Sequence, residues 1–262
     1  MNMNKEETLL QKRLIELSRT AYMRGIVTFS DFLNLNELNI LHTTPKNLFL
    51  SQYETFGGYG LAERQMVAFL PDALSYNGAE GLRDPEMIRY PLEVLKISPQ
   101  NQKFSEELSH RDYLGAVMNL GIERCKLGDI IIDGRAAFLF VRKEMTEYIR
   151  ENLTRIRHTT IKTEIALDFP VSYEPGYEEI KGTVASVRLD TVLSLAYPLS
   201  RSKITSYIES ARVFVNGKLI TSNGYRLKEG DIISVRKMGR IVYDGILSET
   251  KKGRLMVKIR KY

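Results

Sequence analysis

The stretch RLDTVLSLAYPLSRSKITSYIESARVFVNGKLITSNGYRLKEGDIISVR, residues 188–236, decides the fold of the C-terminal third of the chain. Its first half repeats an apolar pattern at helical spacing, which predicts two helices. The two apolar stripes are Leu189, Val192, Leu193, Ala196 and Ile204, Tyr207, Ile208, Ala211. Pro198 ends the first helix because proline disfavours helical geometry in the residue before it. Ser200 is a suitable N-cap for the second helix, so we expect a packed helix pair.

The second half of this stretch changes to the two-residue period of β-strands. Val213 and Val215 point to one side, and Asn216-Gly217 is a strong signal for a tight hairpin turn. The residues 228–231, KEGD, predict another turn before the β-branched strand Ile232–Val235. The stretch therefore predicts two short helices followed by a small sheet.

Two cations lie where a helix ordinarily disfavours them. Arg201 and Lys203 fall in the first turn of the second helix, between the hydroxyls of Ser200 and Ser202. The helix macrodipole makes this end unfavourable for positive charge. A helix N-terminus with free N–H groups, hydroxyls and cations is suited to a phosphate group. The competing interpretation is a solvated basic surface.

The order of elements in this stretch resembles the S-four-type (S4) RNA-binding domain, named after a ribosomal protein. The matching segments are RLD at 188–190, SRSK at 200–203, VFVNGK at 213–218 and KEGD at 228–231. That family docks its helix pair against folded RNA, through phosphates and shape more than through base sequence. We therefore predict that the RNA-binding residues are Arg188, Ser200, Arg201, Ser202, Lys203, Arg212, Asn216, Lys218, Arg226 and Lys228.

The charge of the chain is distributed unevenly. Residues 181–262 contain 17 Lys and Arg against 6 Asp and Glu, whereas residues 1–180 contain 21 against 26. The C-terminal third therefore carries a field that attracts polyanions, and the rest of the chain does not.

Other classes of protein are disfavoured by composition. The single cysteine, Cys125, excludes an internal disulfide and a cysteine-rich zinc site, and it fits a reducing cytoplasm. His42, His110 and His158 lack metal-ligand spacing, so we predict neither a metal site nor a cofactor. No segment approaches the ~20 apolar residues of a membrane helix, and the first residues lack a signal-peptide core, so membrane insertion is not expected.

The middle of the chain predicts a βαββαβ order, as in a ferredoxin-like sheet. The predicted elements are Ile88–Ile97, a helix capped by Ser109, Ile130–Ile132, Ala137–Val141, the helix Glu144–Leu153, and Thr159–Ala166. RNA-recognition modules share this order, but GRAAFLFV at 134–141 matches their aromatic signature poorly. We therefore interpret Phe138 and Phe140 as core residues in preference to base-stacking residues. Asp129 and Asp133 flank a strand and are interpreted as turn-forming carboxylates.

The N-terminal part predicts a helix over residues 5–23 and a second helix, capped by Ser30, that ends near Leu41. GGYG at 57–60 lacks the spacing of a phosphate-binding loop, so we interpret it as a turn before a strand.

The predicted fold class is α+β, in four segments. Residues 1–82 form a small N-terminal α/β region, 83–168 a ferredoxin-like domain, 169–181 a linker, and 182–262 the S4 domain with a C-terminal hairpin. The hairpin pairs Ile241–Leu247 with Arg254–Arg260. The second of these strands is expected at the sheet edge, where its basic face either extends an RNA-binding surface or prevents aggregation.

Three longer segments widen the resemblance: GGYGLAERQMVAF at 57–69, LSHRDYLGAVMNLGIERCKLGDIIID at 108–133 and GTVASVRLD at 182–190. Together they look like the bacterial YlmH family. The resemblance implies a three-part, non-enzymatic RNA-binding protein of the cytoplasm. It also implies relatives that associate with the large ribosomal subunit and tRNA in rescue of stalled translation, and genes that lie near cell-division genes.

The leading hypothesis is therefore a non-catalytic protein that binds structured RNA, ribosomal RNA with bound tRNA, in quality control of stalled translation. One alternative is a cell-division factor that binds proteins through residues 1–170. A further alternative is an RNA-modifying enzyme such as a pseudouridine synthase. In those synthases RLD is followed by T-x-G-L, whereas here RLD at 188–190 is followed by TVLSLAY. This difference disfavours the pseudouridine synthase alternative.

Overall fold

The computed structural model describes residues 5–72 and 88–262. The chain divides into two compact units, Met1–Tyr173 and Glu174–Tyr262. The predicted boundary between residues 82 and 83 lies outside the described residues. Within the described ranges, no helix combines the length and the apolar character needed to cross a bilayer.

The N-terminal part of the first unit packs two helices against a small antiparallel sheet. Its elements are α1 (Lys5–Arg24), β1 (Thr28–Phe29), α2 (Leu35–Thr43), β2 (Gln52–Phe56) and β3 (Met66–Leu70). The strand order is β1-β3-β2, and the central strand β3 is buried along its whole length. The core between helices and sheet consists of Leu14, Ala21, Leu33, Leu38, Leu41, Val67 and Phe69.

The predicted Ser30 cap of the second helix was wrong. The N-cap is Asn34, whose side chain accepts a hydrogen bond from the Glu37 N–H at 3.2 Å. The Glu37 carboxylate accepts one from the Asn34 N–H at 2.7 Å. Ser30 instead accepts a hydrogen bond from the Val67 N–H at 2.9 Å, because residues 30–33 continue along β3 in extended form. The fully buried Phe32 lies in this extended segment.

The rest of the first unit is the βαββαβ domain that the sequence predicts. Its elements are β4 (Leu92–Pro99), α3 (His110–Met118), β5 (Leu127–Asp133), β6 (Ala136–Arg142), α4 (Thr146–Asn152), β7 (Arg155–Ile156) and β8 (Thr159–Ile165). The strand order β5-β6-β4-β8-β7 places β4 and β6 at the centre, as in a ferredoxin-like sheet. The α+β class is confirmed.

The helices cover one face of this sheet, and the N-terminal part covers most of the other. Successive side chains of a strand point to opposite faces, so Ala137, Leu139 and Val141 share the face on which the two helices pack. Phe138 and Phe140 point to the other face. The side chains packed with Phe140 on that face are Phe32, Tyr59, Ala62, Met66 and Ile131. The N-terminal part therefore covers the face that RNA-recognition modules leave open.

The GGYG segment lies in the connection between β2 and β3, so its interpretation as a turn before a strand is confirmed. Gly58 has a φ of +101°, a conformation that favours glycine. A Cβ at this position would overlap the ring of Phe140. The glycine thus allows the connection to approach the sheet closely.

The second unit contains the predicted helix pair and sheet. Its elements are β9 (Glu178–Val184), α5 (Leu189–Ala196), α6 (Arg201–Glu209), β10 (Val213–Val215), β11 (Lys218–Leu219), β12 (Ile232–Val235), β13 (Gly239–Glu249) and β14 (Leu255–Lys261). The strand order is β11-β10-β12-β13-β14-β9. The apolar stripes of α5 and α6 pack with Val213, Val215, Ile233 and Ile241 in one core.

The expectation that the last strand lies at the edge of the sheet was wrong. β14 pairs with β13 on one side and with β9 on the other. Strand β9 includes residues 178–181 of the segment predicted as a linker. The apolar pattern of β9 is weak, because Ile180 and Val184 are its only large apolar residues and the others are charged, polar or small. Gly182, between them, leaves the space that the side chain of Leu195 occupies.

Candidate nucleic-acid interface

The start of α6 has the geometry that the sequence predicts. Ser200 is the N-cap, and its hydroxyl accepts a hydrogen bond from the Lys203 N–H at 3.4 Å. The same hydroxyl lies 3.1 Å from the hydroxyl of Ser202. Ile204 is buried on the opposite side of the helix, so Arg201, Ser202 and Lys203 are exposed. Of the first N–H groups of α6, which have no partner within the helix, that of Lys203 is bonded to the Ser200 hydroxyl, and those of Arg201 and Ser202 lie beside the two cations.

The charges of α6 are reversed relative to its macrodipole. Its first turn contains Arg201 and Lys203 and no acidic residue, and it ends at Glu209. Neither cation forms an ion pair with a carboxylate in the part of the chain that the structure describes. The dipole disfavours the two cations at this end of the helix. An anion that binds there would compensate their charge.

Two further predicted residues, Arg188 and Arg226, lie side by side. Their backbones form an antiparallel bridge, and the Leu189 N–H donates to the Tyr225 carbonyl at 2.8 Å. The Arg188 guanidinium donates two hydrogen bonds to the Asp190 carboxylate at 3.0 and 2.9 Å. Arg226 is exposed and has no such partner among the described carboxylates. The two arginines border an open cavity of about 490 Å³.

Four predicted residues remain. Arg212, Lys218 and Lys228 have exposed cationic side chains, whereas the side chain of Asn216 is hydrogen-bonded within the unit. Arg212 is exposed, and its guanidinium lies over the ring of Tyr207, 5.2 Å from the ring centre. Lys218, at the start of β11, and Lys228, just before a turn, are both exposed. The Asn216 amide donates to the Asp231 carboxylate at 2.8 Å and accepts from the Ile232 N–H at 2.9 Å.

Asn216 therefore serves the hairpin turn, in which it adopts a φ of +48°. Asparagine tolerates this region better than most residues. The contact of Asn216 with RNA stays a prediction.

The basic face of β14 is neutralised within the unit. Lys258 lies 2.9 Å from the Glu179 carboxylate, and Arg260 lies 2.7 Å from the Asp244 carboxylate and also contacts Glu174. Hydrogen bonds from Lys181 and Lys258 lower the pKa of Glu179 to about 2. Glu174 and Glu179, which precede the basic third in sequence, thus form ion pairs with cations of β14. The positive charge at the start of α6 is therefore more available to an anion.

Phe140 of the middle domain belongs to the core, as interpreted from the sequence. It is fully buried, and its ring lies 5.2 Å from that of Tyr59. Phe138 is only half-buried, and its ring lies 5.0 Å from that of Phe169. The two phenylalanines on this face are therefore not equivalent.

Asp129 was wrongly interpreted as a turn-forming carboxylate. It lies inside β5, where its carboxylate accepts hydrogen bonds from the Tyr59 hydroxyl at 2.9 Å, the Glu63 N–H at 2.7 Å and the Arg64 N–H at 3.1 Å. The Arg64 guanidinium donates to the Leu127 carbonyl at 2.8 Å. These bonds attach the β2–β3 connection to the middle sheet. Their partners are 63 to 70 residues apart, so no local pattern signals them.

Burial and the neighbouring charge of Arg64 lower the pKa of Arg124 to about 10. Both guanidinium groups are bound to backbone carbonyls, including those of Leu127 and Gly128. These arginines are thus structural. Within residues 5–72 and 88–262, no group of three or more His, Cys, Asp or Glu is placed to hold a metal ion.

Two domain families match the chain. Residues 85–167 match the family described as a putative RNA-binding domain in YlmH, and residues 187–233 match the S4 domain. The first match spans the βαββαβ domain, and the second spans the helix pair, β10, β11 and the start of β12. The resemblance to the YlmH family is confirmed.

The chain is also similar to individual proteins. It is 27% identical over 259 residues to the ribosome-associated protein quality control protein P2 of Bacillus subtilis (strain 168), with 98% of this chain and 96% of that protein covered. Among solved structures, it is similar to the cell division protein ylmH from Streptococcus pneumoniae. That similarity has a TM-score of 0.47 and 19% identity, with 63% of this chain and 93% of the other covered.

Proposed function

We propose that this YlmH-type chain is a non-catalytic, cytoplasmic protein that binds ribosomal RNA and bound tRNA on the large ribosomal subunit, in rescue of stalled translation. The observation that carries the proposal is the presence of Arg201 and Lys203 at the N-terminus of α6, without an ion-pair partner among the described residues, within a matched S4 domain. The Bacillus subtilis relative, named for ribosome-associated quality control, supports the choice of the ribosome.

The α6 end would hold RNA phosphates. The N–H groups of Arg201 and Ser202 and the Ser202 hydroxyl would donate hydrogen bonds, and the two cations would supply charge. Arg226, with Arg188 beside it, would bind a further phosphate. Each phosphate neutralised releases counterions, so affinity should fall with salt at a log-log slope of about −0.7 to −0.9 per phosphate.

The proposed absence of catalysis rests on the chemistry of this surface. Arginine and lysine cations do not accept protons near neutral pH, and the Ser200 hydroxyl is already bonded within the cap. Such groups position and neutralise phosphate, whereas nucleophilic catalysis needs a base that activates the nucleophile.

Co-sedimentation with purified ribosomal subunits tests the proposal. Three full-length proteins would be compared on sucrose gradients at low and moderate salt: wild type, Arg201→Glu/Lys203→Glu, and Lys251→Glu/Lys252→Glu. The last is a matched control, because it makes the same change in net charge at an exposed turn of the same unit. We expect wild type and control to travel with the large subunit and the α6 variant to stay at the top.

Each other outcome points elsewhere. Equal loss in both variants would mean that net charge, and not the α6 site, determines binding. Sedimentation of wild type with the small subunit would overturn the choice of subunit. Failure of wild type to sediment with either subunit would overturn the ribosomal role and favour the protein-binding alternative.

A further inference from the structure

An open aromatic cavity lies on the sheet face of the middle domain, beside the part that the N-terminal region covers. Its volume is about 500 Å³, within the range of small-ligand sites. We call it the aromatic notch, and the residues that matter for the argument are Lys96, Asp133, Phe138, Asp168, Phe169 and Tyr173. None of these residues belongs to the surface at α6.

We propose that the aromatic notch binds one unpaired RNA base, with a preference for guanine. The proposal goes beyond the phosphate-binding role of the S4 domain, because it assigns a second contact, of a different chemistry, to the middle domain.

Three rings, tilted by 60° and 44° relative to one another, border the notch, and a base would stack on one of them, Phe138. The Phe138 and Phe169 ring centres are 5.0 Å apart, and so are those of Phe169 and Tyr173. Phe138 is half-buried and borders the cavity. RNA-recognition modules stack bases on aromatic rings of their sheet. Here Tyr59 covers Phe140, the next residue on this face of β6, so space remains for one base and not for a row of them.

The polar groups around the rings are better suited to hydrogen bonds with the edge of a base than to contacts with the sugar-phosphate backbone of RNA. The notch contains the carboxylates of Asp133 and Asp168 and the single cation of Lys96. This net negative charge disfavours several phosphates. Carboxylates accept hydrogen bonds from the N–H groups of bases. Guanine offers adjacent N–H donors on its pairing edge, which is why we expect it to be preferred.

Lys96 argues for a base and against a cationic protein side chain as the occupant. Its Nζ lies over the Phe138 ring, 5.9 Å from the ring centre. A cationic guest would compete with this lysine for the same ring face, and the two charges would repel. A neutral base would instead displace the exposed ammonium toward its own phosphate. The match of residues 85–167 to a domain described as RNA-binding agrees with this choice.

The experiment uses the full-length chain with Arg201→Glu/Lys203→Glu, so that the S4 site does not contribute. The probes are fluorescein-labelled single-stranded RNA hexamers, UUGUUU and UUUUUU, measured by fluorescence polarisation. We expect UUGUUU to bind about tenfold more tightly, and Phe138→Leu to remove about tenfold of that affinity, as for loss of one stacked base. Asp133→Asn should reduce the preference for guanine.

Two further variants separate binding from folding. Phe69→Leu is the matched control, because it removes a fully buried aromatic ring from the same unit in a core that does not include the notch residues, and it should leave the affinity unchanged. Lys96→Gln changes an exposed side chain and should weaken binding while leaving the circular dichroism spectrum unaltered.

The proposal is overturned if the two hexamers bind equally, or if Phe138→Leu folds and binds like its parent. If inorganic phosphate competes with UUGUUU as strongly as GMP does, the notch is a simple anion site. Binding of an arginine-rich peptide at the notch, without binding of UUGUUU, would identify it as a protein-docking site. A failure here would leave the co-sedimentation result at α6 unaffected.

Discussion

Two regions of this chain match RNA-binding domain families, and they use their surfaces in opposite ways. The middle domain packs most of one sheet face against the N-terminal part and pairs several of its cations with carboxylates. Lys126, for example, lies 3.0 Å from Asp31 and 2.9 Å from Glu144. The S4 domain leaves Arg201 and Lys203 exposed and unpaired within the described residues. A cation already paired with a carboxylate must lose that partner before it can neutralise a phosphate.

The difference teaches that a domain match does not by itself locate an RNA surface. Both regions contain cations that carboxylates hold, such as Lys126 and Lys258, whereas Arg201 and Lys203 form no ion pair among the described residues. The hydrogen bonds of Lys126 to Glu144 and Asp31 raise the lysine pKa, although burial opposes the shift. Such a lysine is fixed in the fold. The comparison predicts that changes in the buried core of the middle domain alter stability and that changes at α6 alter the electrostatic binding of RNA phosphates.

The largest expected effect on stability is that of Phe140→Ala. Removal of this fully buried ring should lower the free energy of unfolding of the first unit by about 4 kcal/mol. Urea denaturation followed by circular dichroism measures the change. Affinity for large ribosomal subunits should stay within about twofold at temperatures where the variant is folded. A large loss of affinity in the folded variant would break the separation between the two regions.

Asp129→Ala comes next. It leaves the Tyr59 hydroxyl and the N–H groups of Glu63 and Arg64 without their acceptor, which should cost about 2–3 kcal/mol of unfolding free energy. Asp133→Ala, an exposed carboxylate at the end of the same strand, is the control and should change stability by about 0.5 kcal/mol or less. Equal effects of the two variants would contradict the attachment of the β2–β3 connection through Asp129.

A smaller effect concerns pH and the paired cations of β14. The pKa of Glu179 is lowered from 4.5 to about 2 in the folded unit. A carboxyl whose pKa falls on folding stabilises the fold above the unfolded value, and this contribution is lost as pH falls from about 4.5 toward 2. The protection of the amides between β9 and β14 against hydrogen exchange, taken relative to the intrinsic exchange rate at each pH, should therefore fall over this range.

Glu179→Gln is the control for this titration, because it removes the titrating group and should flatten the pH dependence. An unchanged pH profile in Glu179→Gln would show that the ion pairs of Glu179 with Lys181 and Lys258 do not hold the edge of the sheet.

The smallest expected effect is a gain in stability. Arg201→Gln/Lys203→Gln removes two cations from the positive end of α6 and should raise the free energy of unfolding of the second unit by about 0.5–1 kcal/mol. The same variant should bind RNA more weakly. Hydrogen exchange of the α6 amides measures the first effect, and a filter-binding assay measures the second. A loss of stability would mean that these cations serve the fold and not a ligand.

The sequence predicted those parts of the fold that local pattern determines. The α5–α6 pair, the Ser200 cap and the Asn216-Gly217 turn depend on residues within one or two turns of each other. Strand β9 was missed because its acidic residues are recognisable as strand only beside the basic residues of β14. The Asn34 cap was missed because Ser30 offered an equally good local signal, and contact with β3 decided between them.

The residues of the candidate site, like the elements of the fold, could be predicted only where local sequence determines them. The candidate residues at α6 could be predicted because charge and helix position are both local properties. The neutralisation of Lys258 and Arg260 could not, since it depends on Glu179, Asp244 and Glu174 from elsewhere in the unit. Nor could the aromatic notch, because Phe169 and Tyr173 lie in a segment that reads as a linker and reach Phe138 only in the folded chain.

The salt dependence of RNA affinity tests the central claim most directly. Binding of wild type, Arg201→Glu/Lys203→Glu and Lys251→Glu/Lys252→Glu to purified large ribosomal subunits would be measured between about 50 and 200 mM salt. If Arg201 and Lys203 each neutralise a phosphate, the α6 variant loses about 1.5 from the magnitude of the log-log slope, and the control keeps the wild-type slope. Equal slopes in all three proteins would contradict the account.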